Sequence, residues 1–271
     1  MRLTPGVFRA TVPKQHGAWT VLIACFIIGA GVGARFSLEI IILWVSVIAA
    51  FLGRGASGMY LPLSPEERRR QGLSAWIMFY FGIFLLSGAW LVLGYKLRLL
   101  GLLGSAGMGL AVFSLSLEKE KKDMTLGGQI LSILGLSLIA PAAQYCVSGS
   151  YSLKTLGVWL VCIFFFLGSV FHVRFLVRRR LEAVGELGER LRAGFASLAF
   201  HLSVLFAAVV LSKLKVIPLF APLALVPVTL KAVWPIIRRN RNPLPVKSIG
   251  RLELIHTLIF LIITVVVFAD R

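Results

Sequence analysis

The sequence predicts an all-α membrane protein, a single bundle of about nine transmembrane helices over residues 1–271, and three observations point there. Hydrophobic residues fill 58% of the 271 positions and charged residues only 15%, against roughly a quarter charged in a soluble domain. Mean hydropathy is +0.89, more apolar surface than one core hides, so lipid must cover the rest. The net charge is nevertheless +18, from 29 Lys and Arg against 11 Asp and Glu. High hydropathy and high positive charge are compatible only where the two are segregated along the chain.

They are segregated. Apolar runs mark spans at about 18–34, 38–53, 73–95, 99–117, 126–147, 153–176, 193–211, 217–237 and 254–268. The first run starts only at Ala18, behind Arg2, Arg9 and Lys14, and is long for a signal peptide's apolar core, so it reads as a retained helix. The second and ninth are short. The eighth holds Pro218, Pro222, Pro227 and Pro235, so it is expected to be kinked or broken. Small-residue clusters at 29–33, 104–109 and 127–128 are expected at helix contacts, because close packing holds helices together in lipid.

Orientation follows from the basic residues. With the N-terminus in the cytoplasm, twenty-two of the Lys and Arg fall in cytoplasmic segments. Among them are Arg54, Arg68 to Arg70, Lys119 to Lys122, Arg174 to Arg192, and Lys231 to Arg251, the last group counted with the connection between spans eight and nine. Seven fall on the other side, which holds the C-terminus, and a split this uneven over short loops is a strong positive-inside signal. Nucleic acid is not an expected partner, because the basic residues lie along a membrane boundary. Anionic lipid headgroups at the cytoplasmic face fit them better, at about 1 kcal/mol per Lys or Arg.

No phosphate-binding glycine loop, HExxH or GxSxG pattern is present. Cys25, Cys146 and Cys162 show no ligand spacing, so neither metal nor cofactor is expected. Gln15, His16 and Trp19 stand where the chain enters the membrane. They read either as an interfacial anchor or as polar groups facing a cytoplasmic vestibule. His172 and Arg174 close the sixth span, where an ionisable group at depth usually faces a bundle interior or a wet cavity. Arg178 to Arg180 read as charges that stop transfer. His201 and His256 read as polar residues bonding helix to helix. Glu182, Glu186 and Glu189 share a helix face with arginines and read as surface pairs, and 118–123 reads as a solvated charged loop.

Three segments, Pro13-Lys14-Gln15-His16-Gly17-Ala18-Trp19, Ser169-Val170-Phe171-His172-Val173-Arg174 and Ile249-Gly250-Arg251-Leu252-Glu253-Leu254-Ile255-His256, resemble the YwiC-like family of bacterial membrane proteins. The resemblance runs nearly end to end and implies a multi-pass protein of the bacterial cytoplasmic membrane, with no activity attached. A more distant similarity is to the UbiA-type intramembrane prenyltransferases, nine-helix bundles with a cytoplasmic-facing site. Thr125 to Gln129 through Pro141 to Tyr145 looks like their fifth helix. Those enzymes hold Mg²⁺ and a prenyl diphosphate with aspartate-rich motifs after spans two and six. Here 53–60 has no Asp, and Phe175 and Arg179 align with the second pair. A diphosphate–Mg²⁺ site needs several carboxylates.

The expectation is therefore a UbiA-like bundle that binds an anionic lipid or isoprenoid phosphate without metal. Its candidate ligand-binding residues are Gln15, His16, Trp19, Arg54, His172, Arg174, Arg178 and His256. The alternatives are a prenyltransferase in which acids such as Glu182 and Glu186 replace the aspartates, or a small-molecule transporter. Against transport stand the lack of intramembrane acids for proton coupling and of an obvious internal repeat.

Overall fold

Capping chemistry shows why the helices begin where they do. Ser64 precedes Pro65, accepts from the Glu67 N–H at 3.3 Å, and donates its own N–H to Glu67 Oε2 at 2.9 Å. This reciprocal pair satisfies two donors that a helix start leaves free. Gly72 follows that helix at φ 63°, a left-handed geometry that suits glycine. Thr125 caps another helix by accepting from the Gly128 N–H at 3.2 Å.

The protein is described by a computed structural model covering residues 13, 16–181, 186–237 and 245–269. Gln15 and Glu182 lie outside the described residues, and His16 is described by its backbone alone. Within them every regular element is helical: α1 His16–Gly33, α2 Leu38–Tyr60, α3 Pro65–Gln71, α4 Leu73–Ala89, α5 Arg98–Lys119, α6 Leu126–Ser137, α7 Ile139–Ser148, α8 Leu153–Leu181, α9 Leu187–Lys213, α10 Val226–Ile237 and α11 Val246–Ala269. A π-helical turn, Trp90–Gly94, extends α4, and a 3₁₀ turn, Ala221–Leu225, leads into α10.

Seven of these helical stretches are long and apolar enough to cross a membrane: 38–60, 73–94, 98–119, 126–148, 153–180, 187–213 and 247–269. The protein is an all-α, multi-pass type of chain whose apolar helices contact lipid. The expected first and eighth spans are shorter apolar helices, Gly17–Gly33 and Ala221–Ile237. Seventeen residues rise about 25 Å, a little short of a hydrocarbon layer about 30 Å thick.

The chain divides into two compact units, Met1–Ser150 and Tyr151–Arg271. In the first, α2 packs along α4, and α1 along α7. Gly29 explains the second pairing: a Cβ there would run into the Ala140 carbonyl and the Ala143 side chain, so only glycine lets the helices come this close. Ile40, Leu43, Leu91, Leu100, Ala143 and Cys146 form a core between α2, the π turn, α5 and α7. The expected fifth span is two helices meeting at Leu138. The break falls where Pro141 has no N–H to offer the Ser137 carbonyl. Of the small clusters, the glycines at 29 and 33 sit in tight contacts, whereas Gly109 faces open space.

In the second unit, α8 to α11 surround a core in which Phe165 stacks on Phe260 at 3.9 Å and 7°, and Ile217, Leu225 and Phe268 are buried as well. The eighth span is broken as its prolines imply: a 3₁₀ turn carries Pro222, and Pro235 lies inside α10. The end of α10 is secured from two neighbours. Arg179 of α8 donates to the Pro235 carbonyl at 2.6 Å, and Arg190 of α9 donates to the Ile237 carbonyl at 3.3 Å. Both place positive charge where a helix end leaves carbonyls unpaired and its dipole negative.

Candidate functional site

In the second unit, four helices bring ionisable side chains into one buried cluster. Lys231, near the middle of α10, donates from Nζ to both oxygens of Glu253 on α11, at 2.9 and 2.8 Å. His172 on α8 places Nε2 4.0 Å from Glu253 Oε1. His201 on α9 and His256 on α11 lie within electrostatic reach of His172. Lys231 is 2% exposed and His172 is fully buried, while Glu253 keeps 18% of its side chain exposed. Lys231 and His172 are therefore enclosed more completely than Glu253.

Hydrogen bonds fix two of the histidines. A carbonyl oxygen only accepts, so His201 Nδ1–H donates to Ser197 O at 2.7 Å and His256 Nδ1–H donates to Leu252 O at 2.8 Å. In the neutral rings Nε2 is then an acceptor. His201 Nε2 has no partner, and it lies 2.9 Å from where a Cβ on Gly168 of α8 would stand. Glycine at 168 is what admits this ring between α8 and α9.

His172 differs from both, because neither of its ring nitrogens has a hydrogen-bond partner. One of them carries a proton in any neutral imidazole, so at least one buried N–H is unspent. The hydroxyls of Ser169 and Ser197, on α8 and α9, are buried and unpartnered as well. Buried polar groups are almost always satisfied in a native protein. The unbonded His172 ring, next to the Lys231–Glu253 pair, is therefore suited to receive an anion or ordered water.

The expected site residues are distributed as follows. His172 and His256 belong to this cluster. Arg174 and Arg178 are on the same helix as His172 but exposed. Two residues along a helix turn a side chain through about 200°, away from the buried face, which corrects the expectation that His172 and Arg174 face the interior together. Trp19 and Arg54 lie in the first unit. Trp19 donates from Nε1 to Pro13 O at 3.1 Å and meets Phe51 edge-on at 4.8 Å. Arg54 is engaged by Glu118 at 2.9 Å and by Ser114 Oγ at 2.9 Å. Glu118 is thus a structural partner rather than part of a solvated loop. Glu186 and Glu189 form a capping pair at the start of α9. Among the described residues, no group of three or more His, Cys, Asp or Glu is placed to hold a metal ion.

Neither Lys231 nor Glu253 stands out in the sequence. Lys231 sits in the apolar stretch 226–237 of α10 rather than in the connection between spans eight and nine. Glu253 falls before the apolar run that starts at 254, but α11 begins at Val246, two turns earlier, and the membrane-length stretch begins at Lys247. Glu253 thus falls inside a helix long and apolar enough to cross a membrane, which corrects the expected lack of acids in the spans. The available signal was spacing: Glu253 and His256 are three apart and so share a helix face.

Residues 12–144 match the family model described as YwiC-like protein. The chain is also 26% identical over 258 residues to the uncharacterized protein YwiC of Bacillus subtilis (strain 168), covering 93% of this chain and 96% of that one. No solved structure matches. This near end-to-end similarity bears out the resemblance to the YwiC-like family.

Proposed function

We propose that this YwiC-like membrane protein binds an anionic lipid or isoprenoid phosphate at the polar cluster of its second unit. One observation carries the reading: His172 is fully buried beside the Lys231–Glu253 pair with neither ring nitrogen bonded. Leaving a buried donor unmade costs about 1–3 kcal/mol, and a phosphate oxygen is an acceptor that such a donor and an ammonium can share.

In this reading Lys231 and His172 contact the phosphate, His256 lies one turn along α11 with its N–H committed to Leu252 O, and the exposed Arg174 and Arg178 draw anionic lipid to that end of α8 rather than coordinating it. Gln15, His16, Trp19 and Arg54, in the first unit, are assigned separately to lipid headgroups and not to this phosphate. The protein then sits in the bacterial cytoplasmic membrane with its basic side inward, as the charge split implies. It needs no metal or cofactor for this role.

Thermal unfolding of the full-length protein in detergent tests it, with farnesyl phosphate, phosphatidylglycerol and phosphatidylcholine each added in turn. A ligand bound only to the folded state stabilises it by about 2.7 kcal/mol at a hundredfold excess over Kd. Stabilisation by at least one anion, none by phosphatidylcholine, and its loss in His172→Gln are expected. No stabilisation by either anion would overturn the reading.

A further inference from the structure

Glu253 occupies the place that the phosphate reading assigns to a ligand oxygen. Its carboxylate takes two donors of Lys231 and lies 4.0 Å from an unbonded nitrogen of His172. We propose that Glu253 is a built-in stand-in for the phosphate, released by protonation, so that one proton is taken up for each anion bound. The inference rests on the phosphate reading and adds the way the site is opened.

The argument is one of charge. With the ligand absent, one ammonium faces one carboxylate and the pair sums to zero. A phosphate arriving as its monoanion would place two negative charges against a single cation in a buried setting, an arrangement that buried ionisable groups avoid by neutralising. Adding a proton to Glu253 restores the balance: an O–H bond forms on the carboxyl, its ion pair with Lys231 breaks, and Lys231 pairs with a phosphate oxygen. The open N–H of His172 then donates to the same anion. Glu253 is the least enclosed of the three, with 18% of its side chain exposed against 2% for Lys231 and none for His172.

The groups facing Glu253 from the packed helices are His172 on α8, His201 on α9, and Lys231 on α10, with His256 one turn along α11 itself. His256 has its Nδ1–H committed to Leu252 O. His201 Nε2 is an open acceptor and so a rival for the proton, and replacing Glu253 separates the two.

The test is isothermal calorimetry on the full-length protein in detergent, with farnesyl phosphate and inorganic phosphate as probes, between about pH 6 and 8, in two buffers of different ionisation heat. A phosphate monoester itself takes up protons in this range, and that share persists in Glu253→Gln. Wild type should gain about tenfold in affinity per unit fall in pH beyond the slope of Glu253→Gln, and the variant should bind more tightly than wild type near pH 8. Equal slopes in the two proteins overturn the stand-in and leave the phosphate reading in place. No binding of either probe at any pH overturns both. Binding of farnesyl phosphate alone assigns the site to a lipid, and binding of both probes assigns it to the phosphate group, each with the same slope criterion. If Glu253→Gln does not fold, the wild-type proton count decides, and uptake no greater than that of the free probe overturns the proposal.

Discussion

Replacing Glu253 with Gln removes the carboxylate and leaves an ammonium that is 2% exposed with no counter-charge. Breaking a buried ion pair from one side destabilises by about 3–5 kcal/mol. Because the pair is not fully enclosed, Glu253 keeping 18% of its side chain exposed, the expected loss lies near the low end, at about 3 kcal/mol. Lys231→Met leaves the more accessible member, which can take up a proton, so about 2 kcal/mol is expected. The double variant leaves no buried charge and should lose only about 1 kcal/mol, since pairs replaced together are often near neutral. The coupling energy is then on the order of 4 kcal/mol, well above what non-interacting positions show. Equilibrium unfolding in mixed detergent micelles measures all four proteins. Single losses under about 0.5 kcal/mol that simply add would refute the claim that this pair is a buried, mutually dependent unit.

The two glycine environments predict opposite outcomes: Gly29→Ala meets the Ala140 carbonyl and should destabilise the first unit by about 1–3 kcal/mol. Gly109→Ala enters open space and should be neutral or stabilising by up to about 1 kcal/mol, with thermal unfolding in detergent as the readout for both. Glu67 is fully exposed, and its carboxyl is held below the usual range first by the Ser64 backbone N–H and then by the Ser64 side chain. A lowered folded-state value means the cap's contribution is present above the unfolded carboxylate range and is lost as pH falls through the folded one. Amide exchange in α3, corrected for intrinsic pH effects, should therefore speed up in acid in wild type and stay pH-independent in Glu67→Gln.

The helical class and most of the spans were legible because lipid imposes long apolar runs, and the spans end at charges or glycines. The broken eighth span was readable from its four prolines, but the break at Leu138 was not, because Pro141 acts on a carbonyl four residues earlier and leaves the apolar run intact. Glycine clusters showed where close packing is possible, not where it occurs: Gly29 meets a neighbouring backbone and Gly109 does not. At the site, His172 was legible as a histidine in the last turns of an apolar run. Lys231 and Glu253 were hidden because each sits near a charge-rich connection, where charges are usually solvated. Only the packing of α10 against α11 makes them partners. Arg174 shows the converse error, since closeness to His172 in sequence says nothing about a shared face.

The central claim is that the phosphate of a lipid reaches the His172 ring, and nitrogen NMR of the full-length protein with ¹⁵N-labelled histidine tests it most directly. Comparison with His172→Gln assigns the resonance. Titrating in farnesyl phosphate should move the His172 ring signals in a saturable way, with phosphatidylcholine leaving them in place. His172 signals that stay fixed while the protein is saturated with farnesyl phosphate would contradict the account.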